Sequence, residues 1–301
     1  MKFSIKFSWV LLFFPVVMSG CFRKVNHIQL EEPPHKAVMS SMLKAGDSVH
    51  VFLAHLTGVF DFEMQDAYVC DARIILMEDG REVDTLDSCN QGFYHSGQIV
   101  QPGATYRLHA DAGNYGSLTA TTKVPATVPV QVHRYEILNY QNDTIVKMVY
   151  RIDDPPMEGD AYMFELFGNN NAQPEHPILM RPLERLPVDP RIEADPVGTH
   201  LFVHDGQGWV LSDQYFNGNT VYVSIYYGLR AGYYQADTLF PRWHRMDGNY
   251  YEYLRYTLVS GNMEDGGPYS SMEYENPHGN VEGGYGFVGS ERVKTDTVVI
   301  R

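Results

Sequence analysis

The chain has 301 residues, with 23 Lys+Arg against 37 Asp+Glu and a net charge of −14. This acidic balance argues against nucleic acid, because phosphate binding needs a basic face. Apolar residues make up 44% and charged residues 20%, which excludes a mostly disordered chain. No apolar run approaches the roughly 20 residues of a membrane-spanning helix.

The N-terminus reads as an address. Lys2 and Lys6 precede the apolar run Phe7 to Met18, and Met18-Ser19-Gly20-Cys21 comes next. Small residues before a cysteine at the end of a signal peptide form a lipobox pattern. Residues 1–20 are therefore expected to be a lipoprotein signal peptide, with Cys21 as the lipidated residue. The alternative is an ordinary secretory signal with an incidental cysteine. After cleavage, 21 basic residues face 37 acidic ones, near −16, so lipid rather than charge would hold the protein on a membrane. Residues 21–36 read as a polar tether stiffened by Pro33-Pro34.

Export implies an oxidising compartment, so the remaining Cys70 and Cys89 suggest a disulfide; the alternative is two buried free thiols. Between them, Asp79-Gly80 is a two-residue hairpin turn. Centring the ladder there pairs residues whose numbers sum to 159. Cys70 then faces Cys89, and Ala72, Ile74, Leu76, Val83 and Thr85 share their face. Their spacing excludes a CxxC site.

Strand patterns continue through Ser48–Leu53, Thr105–Ala110 and Leu118–Lys123, with turn signals between. Residues 37–125 are therefore expected to form an immunoglobulin-like β-sandwich. Pro125 and Pro129 mark the crossing into a second β-rich domain, residues 126–301. Its expected strands are Val130–Leu138, Thr144–Ile152, Ala161–Phe167, His200–Leu211 turning at Asp205-Gly206, Thr220–Tyr227 and Thr295–Ile300. Asn169–Gly198 reads as a long irregular insertion. One helix is expected at 249–260, with Tyr251, Leu254 and Leu258 on one face and Gly261 as its stop.

Several chemical motifs fail on context. Gly284-x-Gly286-x-x-Gly289 matches a dinucleotide fingerprint but precedes a strand pattern, so its glycines are read as allowing a φ-positive turn beside Tyr285 and Phe287. His200 and His204 lie on a strand, where four residues span roughly 13 Å, and His50 with His55 is no better, so no metal is expected. The run Asp153-Asp154-Pro155-Pro156-Met157-Glu158-Gly159-Asp160 reads as a solvated acidic turn, with calcium as the alternative. No hydrolase signature occurs, and the chain is read as a non-enzyme without a cofactor beyond lipid on Cys21.

There are 21 tyrosines, many between 221 and 256. Trp209, Tyr226, Tyr227, Tyr233, Tyr234 and Trp243 are the candidate contact residues for a protein partner or a glycan; the alternative is that they are core.

The first strand from Met42-Leu43 to Leu53, the phrase Pro102-Gly103-Ala104-Thr105-Tyr106-Arg107-Leu108, the tyrosine-rich helix and above all Asn280-Val281-Glu282-Gly283-Gly284-Tyr285-Gly286-Phe287-Val288-Gly289 carry a resemblance. The chain resembles the Bacteroidetes lipoprotein family catalogued as domain of unknown function 4249 (DUF4249). The resemblance implies an outer-membrane lipoprotein with an immunoglobulin-like first domain, partnering a β-barrel such as a TonB-dependent receptor. It implies no catalytic residues. Surface-displayed lipoproteins of that phylum often carry acidic residues after the lipidated cysteine; here Cys21 precedes Phe22-Arg23-Lys24-Val25, so the membrane face stays open. Two functions are compatible with this: an accessory subunit of a barrel, or a lipoprotein capturing a glycan or peptide. A flat exposed apolar patch would favour the first, and an aromatic-lined pocket the second. An unrecognised hydrolase would require convergent acid and base groups in such a pocket.

Overall fold

The structure, a computed structural model, describes residues 35–56, 67–140, 143–156, 159–170, 173–177, 201–203, 208–229, 238–261 and 279–300. The signal peptide and Cys21 lie outside these. The described residues fall in one unit, Pro34–Arg301, and are mainly β, as expected.

The first half supplies β1 (Ala37–Lys44), β2 (Ser48–His55), β3 (Arg73–Glu78), β4 (Arg81–Leu86), β5 (Cys89–Asn90), β6 (Phe93–Ile99), β7 (Thr105–Asp111) and β8 (Ser117–Lys123). Every second residue of β1 is buried, the period a strand with one face on a core requires. One sheet runs β4-β3-β7-β8, and β1-β2-β6-β5 belongs to the sheet facing it. Met39, Leu43, Val51, Ile74, Leu76 and Leu108 meet in the core between them.

The second half supplies β9 (Val130–Tyr140), β10 (Asp143–Asp153), β11 (Ala161–Asn170), β12 (Gln173–Pro177), β13 (Leu201–Val203), β14 (Gly208–Ser212), β15 (Thr220–Leu229), β16 (Thr238–Met246), helix α1 (Gly248–Gly261), β17 (Tyr285–Thr295) and β18 (Val298–Val299). The three-stranded sheet β15-β10-β9 shares a second core with β14, β11 and β16. Leu201 pairs with Val210 and Val203 with Gly208, the register that a turn at Asp205-Gly206 produces. Part of the expected irregular insertion is regular: β11 reaches Asn170, and β12 pairs back on it. Residues 178–200 lie outside the described residues.

β17 joins the halves. It pairs parallel with β1, from Val38↔Tyr285 to Lys44↔Glu291, and antiparallel with β16. The sheet thus runs unbroken as β13-β14-β11-β16-β17-β1-β2-β6-β5, and Val288 enters the first core. The glycine-rich segment opens with the expected φ-positive turn, Gly283 at φ +84°, and then continues as a strand from Tyr285. Its glycines answer to close approach. Gly286 sits at φ +109°, and a Cβ there would lie 2.0 Å from the Met39 carbonyl oxygen, so only glycine lets the two strands meet. A Cβ on Gly289 would lie 2.5 Å from the Phe287 ring. Asn280 completes the seam: its side-chain amide donates to the Val288 carbonyl (2.7 Å) and its oxygen accepts the Val288 N–H (2.8 Å).

Helix α1 spans the expected residues. Asp247 caps it, its Oδ1 accepting the Tyr250 and Ser290 N–H groups, each at 3.0 Å, while Oδ2 takes the Thr122 hydroxyl. One carboxylate thus ties α1 to β17 and β8. Tyr250, Tyr251 and Leu254 pack on Ala161, Met163, Val210 and Met246, and the Tyr253 ring stacks on Phe287 at 4.2 Å.

Cys70 and Cys89 form a disulfide with Cα atoms 5.3 Å apart. The pairing was expected; the ladder that brings it about differs. Glu78↔Arg81 and Met77↔Glu82 keep the expected register, but a bulge between Leu76 and Met77 shifts the rest to Leu76↔Asp84 and Ile74↔Leu86. One extra residue exchanges the faces of β4. Asp84, not Val83, stands opposite Leu76 and takes the Ser96 hydroxyl of β6. Cys89 lies on β5, in the facing sheet. The disulfide ties the segment before β3, which is bonded to β2 through Tyr68 and Val69, to β5, and is not a cross-strand pair of one hairpin.

Candidate functional site

Of the acidic run 153–160, Asp153 is exposed as expected and Glu158 lies outside the described residues, but Asp154 and Asp160 are drawn into the molecule. Asp154, 6% exposed, and Asp160 converge with Asp213, 1% exposed, which comes from the 3-10 turn after β14. One carboxylate oxygen from each lies within 4.8 Å of the others. Each of them already has a hydrogen-bonding partner. Asp154 takes the Tyr162 hydroxyl and, at 2.9 Å, the Gly218 N–H. Asp213 takes the Asp160 N–H at 3.1 Å. Asp160 is ion-paired with Arg245, which is 4% exposed and also donates to the Thr127 carbonyl at 3.2 Å. A guanidinium fixed on β16 therefore supplies the positive charge that this cluster needs.

The cluster leaves a mark on titration. Burial pushes the Asp213 carboxyl up to about 7; the Asp160 N–H pulls it down, and the charges of Asp154 and Asp160 add to the rise. Burial also raises Asp154. On the opposite face of β16, His244 is held between Glu291 (Nδ1, 2.7 Å) and Glu165 (Nε2, 3.0 Å). Burial alone would lower its pKa, but the hydrogen bonds and charges of the two glutamates outweigh it, and the net direction is up.

Both groups predict the same slope. The folded chain keeps the Asp213 proton to about 7, whereas the unfolded chain releases it near ~3.9. Between those values the folded state binds more protons, so stability falls as pH rises. The His244 contribution is complete below ~6.5 and is lost as pH climbs through the raised folded value. We expect Asp213→Asn, which keeps an oxygen for the Asp160 N–H, to match the parent at pH 4 and exceed it at pH 8. Denaturant midpoints across that range test this; parallel curves for the two proteins would contradict it.

The aromatic residues selected from the sequence separate. Trp209, Trp243 and Tyr227 are at most 1% exposed. The Trp209 ring packs on Phe164 and the Trp243 ring on Tyr150. The Tyr227 hydroxyl sits 3.0 Å from that of Tyr150. These three are core, a correction to their reading as contact residues: on β14, β15 and β16 the strand period turns them inward. Tyr226, half-buried, faces out beneath Lys147, whose Nζ is 5.6 Å from its ring centre. Tyr233 and Tyr234 lie outside the described residues.

The exposed apolar surface lies elsewhere. Tyr135, Ile137 and Leu138 of β9 are 37%, 46% and 37% exposed. β9 ends the order of its sheet, so beyond β10 nothing in that sheet covers it. The Tyr135 hydroxyl donates to the Val299 carbonyl at 3.1 Å, and Val299 is 53% exposed. Tyr222, 44% exposed, stands against His133 of the same sheet, ring centres 4.9 Å apart. The sequence shows β9 as a strand; that it is an edge depends on the partners that the other strands choose.

The described residues are thus mainly β, with two large cores joined by one continuous sheet, an exposed edge strand and a buried carboxylate–guanidinium cluster. The family model described as "Domain of unknown function (DUF4249)" matches residues 25–297, and the chain belongs to that family. No curated protein matches it. Among solved structures it is similar to Salmonella alpha-2-macroglobulin reacted with methylamine, at 11% identity and TM-score 0.25, over 90% of this chain but only 15% of that one. It is also similar to the collagen adhesin of S. aureus, at 8% identity and TM-score 0.24, over 87% and 93% of the two chains. A third is a putative carbohydrate binding protein from Bacteroides uniformis, at 12% identity and TM-score 0.16, over 71% and 90%. At these scores none of the three supplies a function for this chain.

Proposed function

We propose that the protein is a lipid-anchored accessory protein of the outer membrane. Cys21 carries the anchor, and β9 presents an apolar edge to an outer-membrane β-barrel such as a TonB-dependent receptor. The observation that carries this reading is the exposed pair Tyr135 and Ile137, on one face of a strand that ends its sheet. An exposed edge with apolar side chains offers both unpaired backbone groups and contact area to another protein. The disulfide supports export to an oxidising compartment. The anchor confines the chain to a plane and so raises its effective concentration near a barrel in the same membrane. The capture of a glycan or peptide has less support, since three of its six candidate aromatics, Trp209, Trp243 and Tyr227, fill the core.

The test is a photo-crosslinking residue introduced at position 137 in cells. We expect one major adduct with an outer-membrane β-barrel protein, absent when the same residue replaces Asp111 on the far sheet. Equal adducts from both positions, or none from 137, would contradict the proposed surface.

A further inference from the structure

One exposed pair on the first sandwich has no part in either core. The β2–β6 register sets His50 directly opposite His95. Both imidazoles are solvent-exposed, and their Nδ1 atoms lie 2.6 Å apart with the rings nearly perpendicular, at 89°. The Ser48 hydroxyl sits 2.9 Å from the other nitrogen of His50, Nε2. Next along the same two strands, Phe52 and Phe93 pack with ring centres 4.9 Å apart, which gives the pair a firm apolar neighbour. His50 and His55 cannot share an ion along one strand; the partner of His50 is 45 residues away, across the ladder.

We infer that His50 and His95 form a chelating site for a divalent transition-metal ion of the zinc, nickel and copper class. Two Nδ1 lone pairs aimed at one point by paired strands are a preorganised bidentate donor set, and neutral imidazole is the ligand those ions favour. The Ser48 hydroxyl lies where it can accept the Nε2–H of the tautomer that leaves the His50 Nδ1 bare, the part an outer partner plays at metal-bound histidines. Without metal, the Nδ1–H of His95 donates to that bare Nδ1. With metal, the His95 proton moves to its Nε2, both Nδ1 atoms bind, and the neutral pair loses no net proton. Metal–nitrogen bonds of about 2.0–2.1 Å hold two ligand nitrogens roughly 3 Å apart, so the rings need separate only slightly. The strands supply two ligands; the exposure of the pair leaves the other positions to water or to a donor from another molecule. The site is therefore exchangeable and not a structural metal centre.

The test is calorimetric titration of the purified chain with Zn2+ and with Ni2+ at pH 7.5, beside His50→Ala, His95→Ala, Ser48→Ala and the control His133→Ala. Circular dichroism confirms that each exposed substitution leaves the fold intact. We expect one equivalent of metal in the parent and the control. Binding should weaken at least tenfold in each of the two site variants, and roughly tenfold in Ser48→Ala. Imidazole 15N spectra should show Zn2+ shifting Nδ1 and not Nε2 of both rings. Parental affinity in both His50→Ala and His95→Ala, or loss in only one of them, would overturn the proposal.

Discussion

Replacing Arg245 with methionine is expected to lower stability by about 3–5 kcal/mol, the usual cost of removing one partner of a buried ion pair. The guanidinium is 4% exposed and is the cation paired with Asp160 beside Asp154 and Asp213. Methionine fills much of the volume but leaves buried carboxylates facing one another and the Thr127 carbonyl without its donor. The loss should be greater at pH 8 than at pH 4, because protonation relieves the carboxylates in acid. Denaturant midpoints at the two pH values measure both effects. A loss below about 1 kcal/mol at pH 8, the range of an exposed pair, would show that the cluster does not depend on its cation. The consequence reaches the edge strand: Thr127 precedes Val128 and Val130, which enter the second core where β9 begins. Loosening that hold frees the base of the strand that carries Tyr135 and Ile137.

Removing the disulfide, by Cys70→Ala with Cys89→Ala, is expected to cost about 3 kcal/mol for a loop of this size, much of it through the greater freedom of the unfolded chain. The bond joins the segment before β3 to β5, a two-residue strand paired with β6 through Cys89↔Tyr94 and Asn90↔Phe93. Limited proteolysis should therefore cut first between Leu86 and Phe93 in the double variant. A denaturation curve that overlays the parent would mean that β5 and the segment before β3 hold their places without covalent help.

Comparison of these elements with the sequence shows where local patterns suffice. The strands of the first sandwich alternate cleanly because one face meets a core, and Asp79-Gly80 marks its hairpin. Asp79 adopts φ 48° and Gly80 φ 79°, as such a turn demands. The Cys70–Cys89 pairing was legible from compartment and number; its geometry was not, because the bulge at Leu76 has no local signature. Helix α1 showed through its apolar spacing and Gly261, whereas the cap on Asp247 depends on β8 and β17 arriving beside it. The glycine-rich segment resisted reading as a strand because glycine disfavours strands in general; only the Met39 carbonyl beside Gly286 shows why it is required. Tyrosine and tryptophan content could not separate core from surface, since the second core takes Trp209, Trp243 and Tyr227 while Tyr135 and Tyr222 stay exposed. Asp213 joins the acidic run, and His95 joins His50, across sequence distances that no spacing rule covers.

An anchored protein that holds a barrel through β9 is tested most directly by a mild-detergent pull-down of the tagged chain from its native membrane, with mass spectrometry of the co-purifying proteins. Ile137→Lys is compared with the parent, and Cys21→Ser serves as the unanchored control. The expected result is a stoichiometric β-barrel with the parent and its loss with Ile137→Lys, although that variant remains folded and in the membrane fraction. Cys21→Ser should leave the membrane fraction. A parent that comes down alone, folded and lipidated at Cys21, would contradict the proposed function, as would a barrel retained undiminished by Ile137→Lys.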